Sequence, residues 1–353
     1  MLWMLPLEPL PERYTIQWRD WFEKAVIRRQ IPFRFVDGTG VSDRVEGGTV
    51  LDPCNTNIWK FTQLQEVCRL FKMNSVSSGD VFFVFDVWFP GLEAIPYMAQ
   101  LQGVDVKVFG FLHAGSYTNE DFTAPMASWA QHFERGWIQL CRKVFVGTDY
   151  HRHQFRLFRG VVGDLVVTGN PFDSTEIISQ CQIVPVEDRE KIIVFPHRWD
   201  REKRPDRFVR LMKGLWRLRQ DFRVVITTSR SSFRSNDPRL IEMLDDFPFV
   251  AKAGLSKQAY YQEMARARVF VSTTIEENFG YCFVEAMALG CTPVVVKSYS
   301  HPEILNQDER FLYSTDDEAV ALLSKYLDNP VSVPVYVKRY DQSIDRVLTE
   351  MGF

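Results

Sequence analysis

The feature that most narrows the fold of this chain is a repeated alternation. Short, nearly continuous apolar runs are separated by longer stretches of helical periodicity, and Val81-Phe-Phe-Val-Phe85 and Val144-Phe-Val146 are typical runs. A strand that is apolar on both faces needs cover on both faces, which is the pattern of a parallel sheet flanked by helices. In the first half, strands are expected at residues 1–5, 33–36, 81–85, 106–111 and 144–146, with helices over 16–29, 60–73, 91–102 and 124–141. The alternation breaks at Val166-Val-Thr-Gly-Asn-Pro171. It resumes with strands at 191–196, 222–228, 249–252, 269–272 and 292–296, and with helices over 205–219, 256–267 and 281–289. The expected fold is α/β, with two Rossmann-like domains facing across a cleft. One spans 1–170, a linker covers 171–190, the second spans 191–334, and a closing helix over 335–353 packs at the domain junction.

Composition leaves this reading intact and removes others. A chain of 353 residues can bury a large core without cross-links. The six cysteines form no CxxC pair and no zinc spacing, so buried, reduced thiols are expected. The apolar start lacks a basic segment and is interrupted by Glu8, so it reads as a first strand and not a signal peptide. No run approaches the roughly 18 apolar residues of a membrane span. The expected compartment is the cytoplasm. Net charge is -3, yet residues 142–239 hold 20 Lys/Arg against 12 Asp/Glu. Such an excess suits a phosphate-bearing partner, or it is a set of solvated helix faces.

The residues that carry chemistry centre on Val271-Ser-Thr-Thr-Ile-Glu-Glu-Asn-Phe-Gly280 and the helix that follows. A loop between a parallel strand and a helix N-terminus is where this architecture holds ligands. Its free N–H groups and the helix dipole favour a pyrophosphate, and Gly280 permits close approach of the backbone. Glu277 precedes the helix and Glu285 lies just over one turn inside it, so the two carboxylates can meet different parts of a long ligand. The alternative is an acidic capping loop suited to the dipole. Other candidates are Arg198 and Lys203 in His197-Arg-Trp-Asp-Arg-Glu-Lys-Arg-Pro205, and His113 just past a buried strand. The run Phe82, Phe83, Phe85, Trp88, Phe89 is most simply core.

Glu277, seven residues, then Glu285, with Gly290-Cys-Thr-Pro-Val-Val-Val296 and His301-Pro-Glu-Ile304 beyond, resembles glycosyltransferase family 4 and related retaining GT-B enzymes. The likeness is strongest over 191–305 and weak over 1–105. It implies transfer of a sugar from a UDP- or GDP-sugar co-substrate with retention, without a metal or a resident cofactor. It assigns the donor diphosphate to Arg198 and Lys203, the sugar to Glu277 and His113, and the ribose to Glu285. Gly254 and Leu255 would border the base, with Ser229-Arg230 near it, while Asn278, Phe279, Gly280 and Tyr281 complete the donor loop. The family's Gly-Gly loop after the first strand is absent, and Glu12-Arg13-Tyr14 stands near its place. The motifs Arg198-Trp-Asp200, Glu277-Asn-Phe-Gly280 and Tyr299-Ser-His-Pro-Glu303 are similar to enzymes that glycosylate queuosine in transfer RNA, with glycosyltransferases of hydroxymethylated DNA bases as a related possibility. A nucleic-acid acceptor would meet Arg152, Arg156 and Arg159, and Asp86-Val-Trp88 would border it. The same arginines also fit an amphipathic helix with Phe155 and Phe158 inward. Rival functions are transfer to a glycan or small molecule, a GT-B-fold epimerase, and a non-catalytic nucleotide-sugar or nucleic-acid binder.

Overall fold

The computed structural model describes residues 1–10, 13–40, 53–228, 232–233, 235 and 237–353. The chain divides into two units, Met1–Phe172 with Gln342–Phe353, and Asp173–Asp341. The stretch 171–190 is therefore not a bare linker. It carries the helix Ser174–Ser179, capped by the Asp173 carboxylate, and from Asp173 onward it belongs to the second unit. The terminal segment forms two short 3-10 turns and then the helix Ser343–Glu350, which joins the first unit.

The first unit holds a parallel sheet of β1 (Leu2–Leu5), β2 (Phe33–Phe35), β3 (Val81–Val84), β4 (Lys107–Phe111), β5 (Lys143–Val146) and β6 (Leu165–Val167), in the order β2-β1-β3-β4-β5-β6. Side chains alternate across β3, so its unbroken apolar run feeds two cores. Phe83 and, just beyond the strand, Phe85 pack against Phe22 of the helix Ile16–Arg28, and Trp18 of that helix meets Phe85. Phe82 stacks on Phe71 of the helix Pro53–Lys72 and on Trp3.

The second unit repeats the plan with β7 (Glu190–Phe195), β8 (Arg223–Thr227), β9 (Val250–Lys252), β10 (Ala267–Ser272), β11 (Thr292–Val296) and β12 (Leu312–Tyr313). All pairs are parallel, in the order β12-β11-β10-β7-β8-β9. The chain starts in the middle of this sheet, winds outward to β9, returns to β10 on the other side of β7, and winds outward again. The reversal lies between β7 and β10, and in sheets of this kind ligands sit outside the carboxyl ends of the strands at that reversal. The cysteines form no disulfide among the described residues, but Cys54 and Cys68 are exposed on a helix, so only some of the thiols are buried. No helix among the described residues is long and apolar enough to cross a membrane.

Candidate active site

Two loops leave the carboxyl ends of β7 and β10, and backbone geometry stitches them together. Ile275 N–H and the Thr274 hydroxyl donate to the Glu202 carbonyl at 2.9 and 3.0 Å, while the Thr273 hydroxyl lies 2.8 Å from the Lys203 carbonyl. The sequence-predicted residues Arg198, Lys203 and Glu277 are thereby gathered at the strand reversal. Lys203 Nζ donates to Glu277 Oε2 at 2.9 Å, with both side chains largely buried. Arg198 is paired with Glu202 and lies 3.5 Å from Asp200, and Lys203 is 3.7 Å from the same Glu202 oxygen. Burial alone would lower the Lys203 pKa, but Glu277 and Glu202 outweigh it and hold the ammonium above its ordinary value. Arg204 follows in a left-handed conformation (φ 51°), held by Asp206, and Pro205 then opens the helix Pro205–Leu218.

Gly280 caps the helix Tyr281–Ala288 at φ 80°, and a Cβ there would come within 3.1 Å of Glu277 Cγ. Glycine at this position therefore permits the turn and leaves Glu277 its place. Phe279 is buried against Tyr281 and Tyr340, and Asn278 is half-buried. Glu285 is 1% exposed on the inner face of that helix. Its carboxylate accepts from Lys257 Nζ at 2.7 Å, Tyr261 hydroxyl at 3.0 Å and Tyr260 hydroxyl at 3.1 Å. A carboxylate offers about four acceptor directions, so three of them are engaged. The three donors recur at i, i+3 and i+4 on the helix Lys257–Arg266, a face legible in Lys257-Gln-Ala-Tyr-Tyr261 that the sequence reading did not connect to Glu285. Gly254 (φ 67°) and Leu255, whose N–H donates to the Thr228 carbonyl, precede that helix at the ends of β8 and β9. Ser229 and Arg230 lie outside the described residues.

Two buried histidines underlie the site. Both ring nitrogens of His197 are buried without a hydrogen-bond partner among the described residues, and its ring packs edge-on against Phe195 and Phe270. Burial, then Lys203, push its pKa well below the usual range. His301 donates from Nδ1 to the Val296 carbonyl at 3.0 Å, and burial takes its pKa down to about 4.

In the first unit, His113 stands beyond the carboxyl end of β4. Its Nε2 is 2.6 Å from the Phe85 carbonyl and its Nδ1 is 2.8 Å from the Tyr14 hydroxyl. A carbonyl can only accept, so Nε2 carries the proton and Nδ1 accepts from Tyr14. Beside it, Asp86 accepts from Lys60 at 2.7 Å and from the Trp88 N–H at 3.0 Å. Burial would raise the Asp86 pKa, but Lys60 and His113 outweigh it and hold the carboxylate ionised. Arg13 joins Glu8 and Thr56 in this unit, whereas Glu12 lies outside the described residues.

The proposed phosphate-binding row does not survive as a set. In the helix Asp149–Arg159, His151, Phe155 and Arg159 recur every four residues on the buried face. Arg159 is 6% exposed, paired with Glu134 and bonded to the Ser116 hydroxyl at 2.7 Å. Arg152 pairs with Asp149, and Arg156 is half-buried. Phe158, expected inward, is 48% exposed. Helical periodicity puts Arg159 with Phe155, and Glu134 on the neighbouring helix Ala127–Leu140 supplies the charge that makes its burial tolerable.

Comparisons with known proteins agree with this geometry. Residues 179–343 match the family described as Glycosyl transferases group 1. The tRNA-queuosine alpha-mannosyltransferase of Drosophila melanogaster is 27% identical over 151 residues, which is 42% of this chain and 38% of that protein. The match thus spans well under half of that relative. Sucrose-phosphate synthase from Thermosynechococcus elongatus superposes with a TM-score of 0.67 at 15% identity, covering 99% of this chain and 97% of that one. The trehalose-6-phosphate synthase OtsA gives 0.59 at 13% identity over 82% and 76%. Identities this low speak to fold alone, and the fold they share is the one built here from two parallel sheets. The chain has the GT-B fold, and its residues 179–343 match the family described as Glycosyl transferases group 1.

Proposed function

We propose that the protein moves a sugar from a UDP- or GDP-sugar to an acceptor hydroxyl with retention of configuration. The observation that carries this reading is the Lys203–Glu277 ion pair, with Arg198 sharing Glu202 beside it, at the strand reversal of a glycosyl transferases group 1 domain. When the bond from the anomeric carbon to the diphosphate breaks, its electron pair leaves on a phosphate oxygen. Arg198 and Lys203 are the fixed cations that stabilise it. Glu277 takes sugar hydroxyls, Glu285 offers its remaining acceptor direction to the ribose, and Gly254 and Leu255 border the base. The 278–281 turn brings backbone N–H groups to the phosphates. His113, fixed in one tautomer, positions the sugar. The acceptor oxygen bonds to the anomeric carbon on the face the diphosphate leaves and gives its proton to a phosphate oxygen. No metal and no side-chain base is then required.

For the acceptor we take a nucleobase that bears a hydroxyl. The name of the Drosophila relative supports queuosine in transfer RNA, and a hydroxymethylated pyrimidine in DNA offers the same hydroxyl chemistry. The test is a panel of nucleotide-sugars, each supplied with queuosine-containing transfer RNA, hydroxymethylated DNA, a glycan and a small sugar, with and without a chelator. Mass analysis is expected to show hexose or pentose added to the nucleic acid and undiminished by the chelator, with the anomeric configuration of the donor kept. Transfer to the glycan or small sugar alone overturns the acceptor. Binding of nucleotide-sugar without transfer to anything overturns the enzyme reading. Loss of activity on chelation with rescue by manganese overturns the role of the two cations.

A further inference from the structure

Four aromatic rings form a ladder that the proposed reaction does not use. Trp129, Phe133 and Trp137 recur every four residues on the helix Ala127–Leu140, with ring centroids 6.0 Å apart at each step, and Trp137 meets Trp88 at 5.4 Å. The outer two are 51% and 54% exposed. The Trp129–Phe133 and Trp88–Trp137 contacts are edge-to-face, at 78° and 64°, so these rings do not close one another's faces by stacking.

The ladder begins beside the Asp86–His113 cluster. Trp88 follows β3, and its backbone is tied to Asp86 and Lys60. Glu134, one residue from Phe133, accepts from the Ser116 N–H at 2.6 Å, just past His113. Both contacts fix this part of the helix at the carboxyl edge of the sheet. Helix rise then carries Trp129 about 12 Å beyond Trp137, outward on the ligand side.

Charge decides what the ladder fits. Residues 127–159 hold six arginines and lysines against two carboxylates; Arg159 is paired with Glu134, Arg152 with Asp149 and Lys143 with Glu350, so Arg135, Arg142 and Arg156 are the excess. Arg135 on the ladder helix and Arg142 just beyond its end are exposed, and Arg156 on the helix packed against it is half-buried. Exposed aromatic faces beside this remaining cationic excess suit a strand whose bases stack while its phosphates meet the cations. A neutral glycan would need no such charge, and an apolar protein partner would be disfavoured by it.

We propose that Trp129 and Phe133, backed by the buried Trp137 and by Trp88, are a stacking platform for the unpaired bases of a single-stranded nucleic acid, leading its acceptor base toward His113. This rests on the nucleic-acid reading above. The probe is a labelled single strand of about 15 nucleotides, as DNA and as RNA, with a duplex of the same sequence beside it. Trp129→Ala and Phe133→Ala are each expected to weaken the single strand roughly tenfold, and the double variant on the order of a hundredfold, with Trp129→Phe keeping most of the affinity. The salt slope should not change, because stacking displaces no counterions, whereas Arg135→Ala with Arg142→Ala should flatten it by about 0.7 per lost phosphate contact. Nucleoside diphosphate binding should be untouched in every variant. Single-strand binding by the double variant at full affinity overturns the platform and leaves the nucleic-acid reading standing. Failure of the unaltered protein to bind either strand or its modified form overturns both.

Discussion

Glu277 and Glu285 look alike in the sequence, and their surroundings separate them. Glu277 is half-buried and meets one cation, Lys203, which a ligand phosphate can also engage. Glu285 is inside the fold and satisfies three donors from one helix. Glu277→Gln, which keeps an acceptor for Lys203, is therefore expected to cost less stability than Glu285→Ala, to leave nucleoside diphosphate affinity nearly unchanged, and to slow transfer. Glu285→Ala strands Tyr261 and Lys257, and each hydrogen bond lost from a charged group costs about 1.5–3 kcal/mol. Calorimetry should show a clear loss of stability together with weaker nucleotide binding. Equal stability losses in the two variants would contradict this division. The sequence motif located both carboxylates, but the partners of Glu285 come from a helix some 25 residues earlier, linked to it only by tertiary packing.

At the scale of elements, legibility followed length and apolar continuity. The buried strands β3, β4, β5, β7 and β11 stand where unbroken Val/Phe/Ile runs placed them, because being covered on both faces leaves no choice of residue. The short strands β6 and β12 were not anticipated. They have three and two residues, β6 is half-buried, and neither offers a period to read. The expected closing helix is broken, since Pro334 starts a separate 3-10 turn before the helix Ser343–Glu350. The helix Asp149–Arg159 shows the opposite difficulty. Its basic appearance hides a buried arginine, and only the position of Glu134 on another helix reveals it. Arg159→Ala is accordingly expected to destabilise the first unit by about 3–5 kcal/mol, because it leaves Glu134 buried and unpaired. Arg152→Ala, which removes an exposed pair, should cost less than about 1 kcal/mol. Chemical denaturation of the two variants distinguishes them, and similar midpoints would show that the buried pair is not structural.

Across the whole molecule, the histidines set the response to acid. Of the six in the chain, His113, His151, His197 and His301 have pKa values lowered chiefly by burial, two of them in each unit. His151, bonded to the Tyr117 hydroxyl, is taken down to about 3 and His301 to about 4. In an unfolded chain each would take up a proton near pH 6.5. Between about pH 6.5 and pH 4 the unfolded state therefore binds more protons than the folded one, and stability must rise with pH across that window. For His301 alone the loss at pH 5 relative to pH 8 is about 2 kcal/mol, given an unfolded value near 6.5. Carboxylates with depressed values, such as Asp206 at about 2 beside Arg204, begin to cost stability only when the pH falls below the ordinary carboxylate range. The acid limb should thus start well above the carboxylates, and both units should weaken because each carries two neutral histidines. Melting curves from pH 8 to pH 4.5 are expected to fall from about pH 6.5 downward. His301→Asn should make the slope shallower by about one proton. A melting temperature that stays level down to pH 5 would mean that these imidazoles take up protons in the fold as readily as in the unfolded chain, and the burial argument would be wrong.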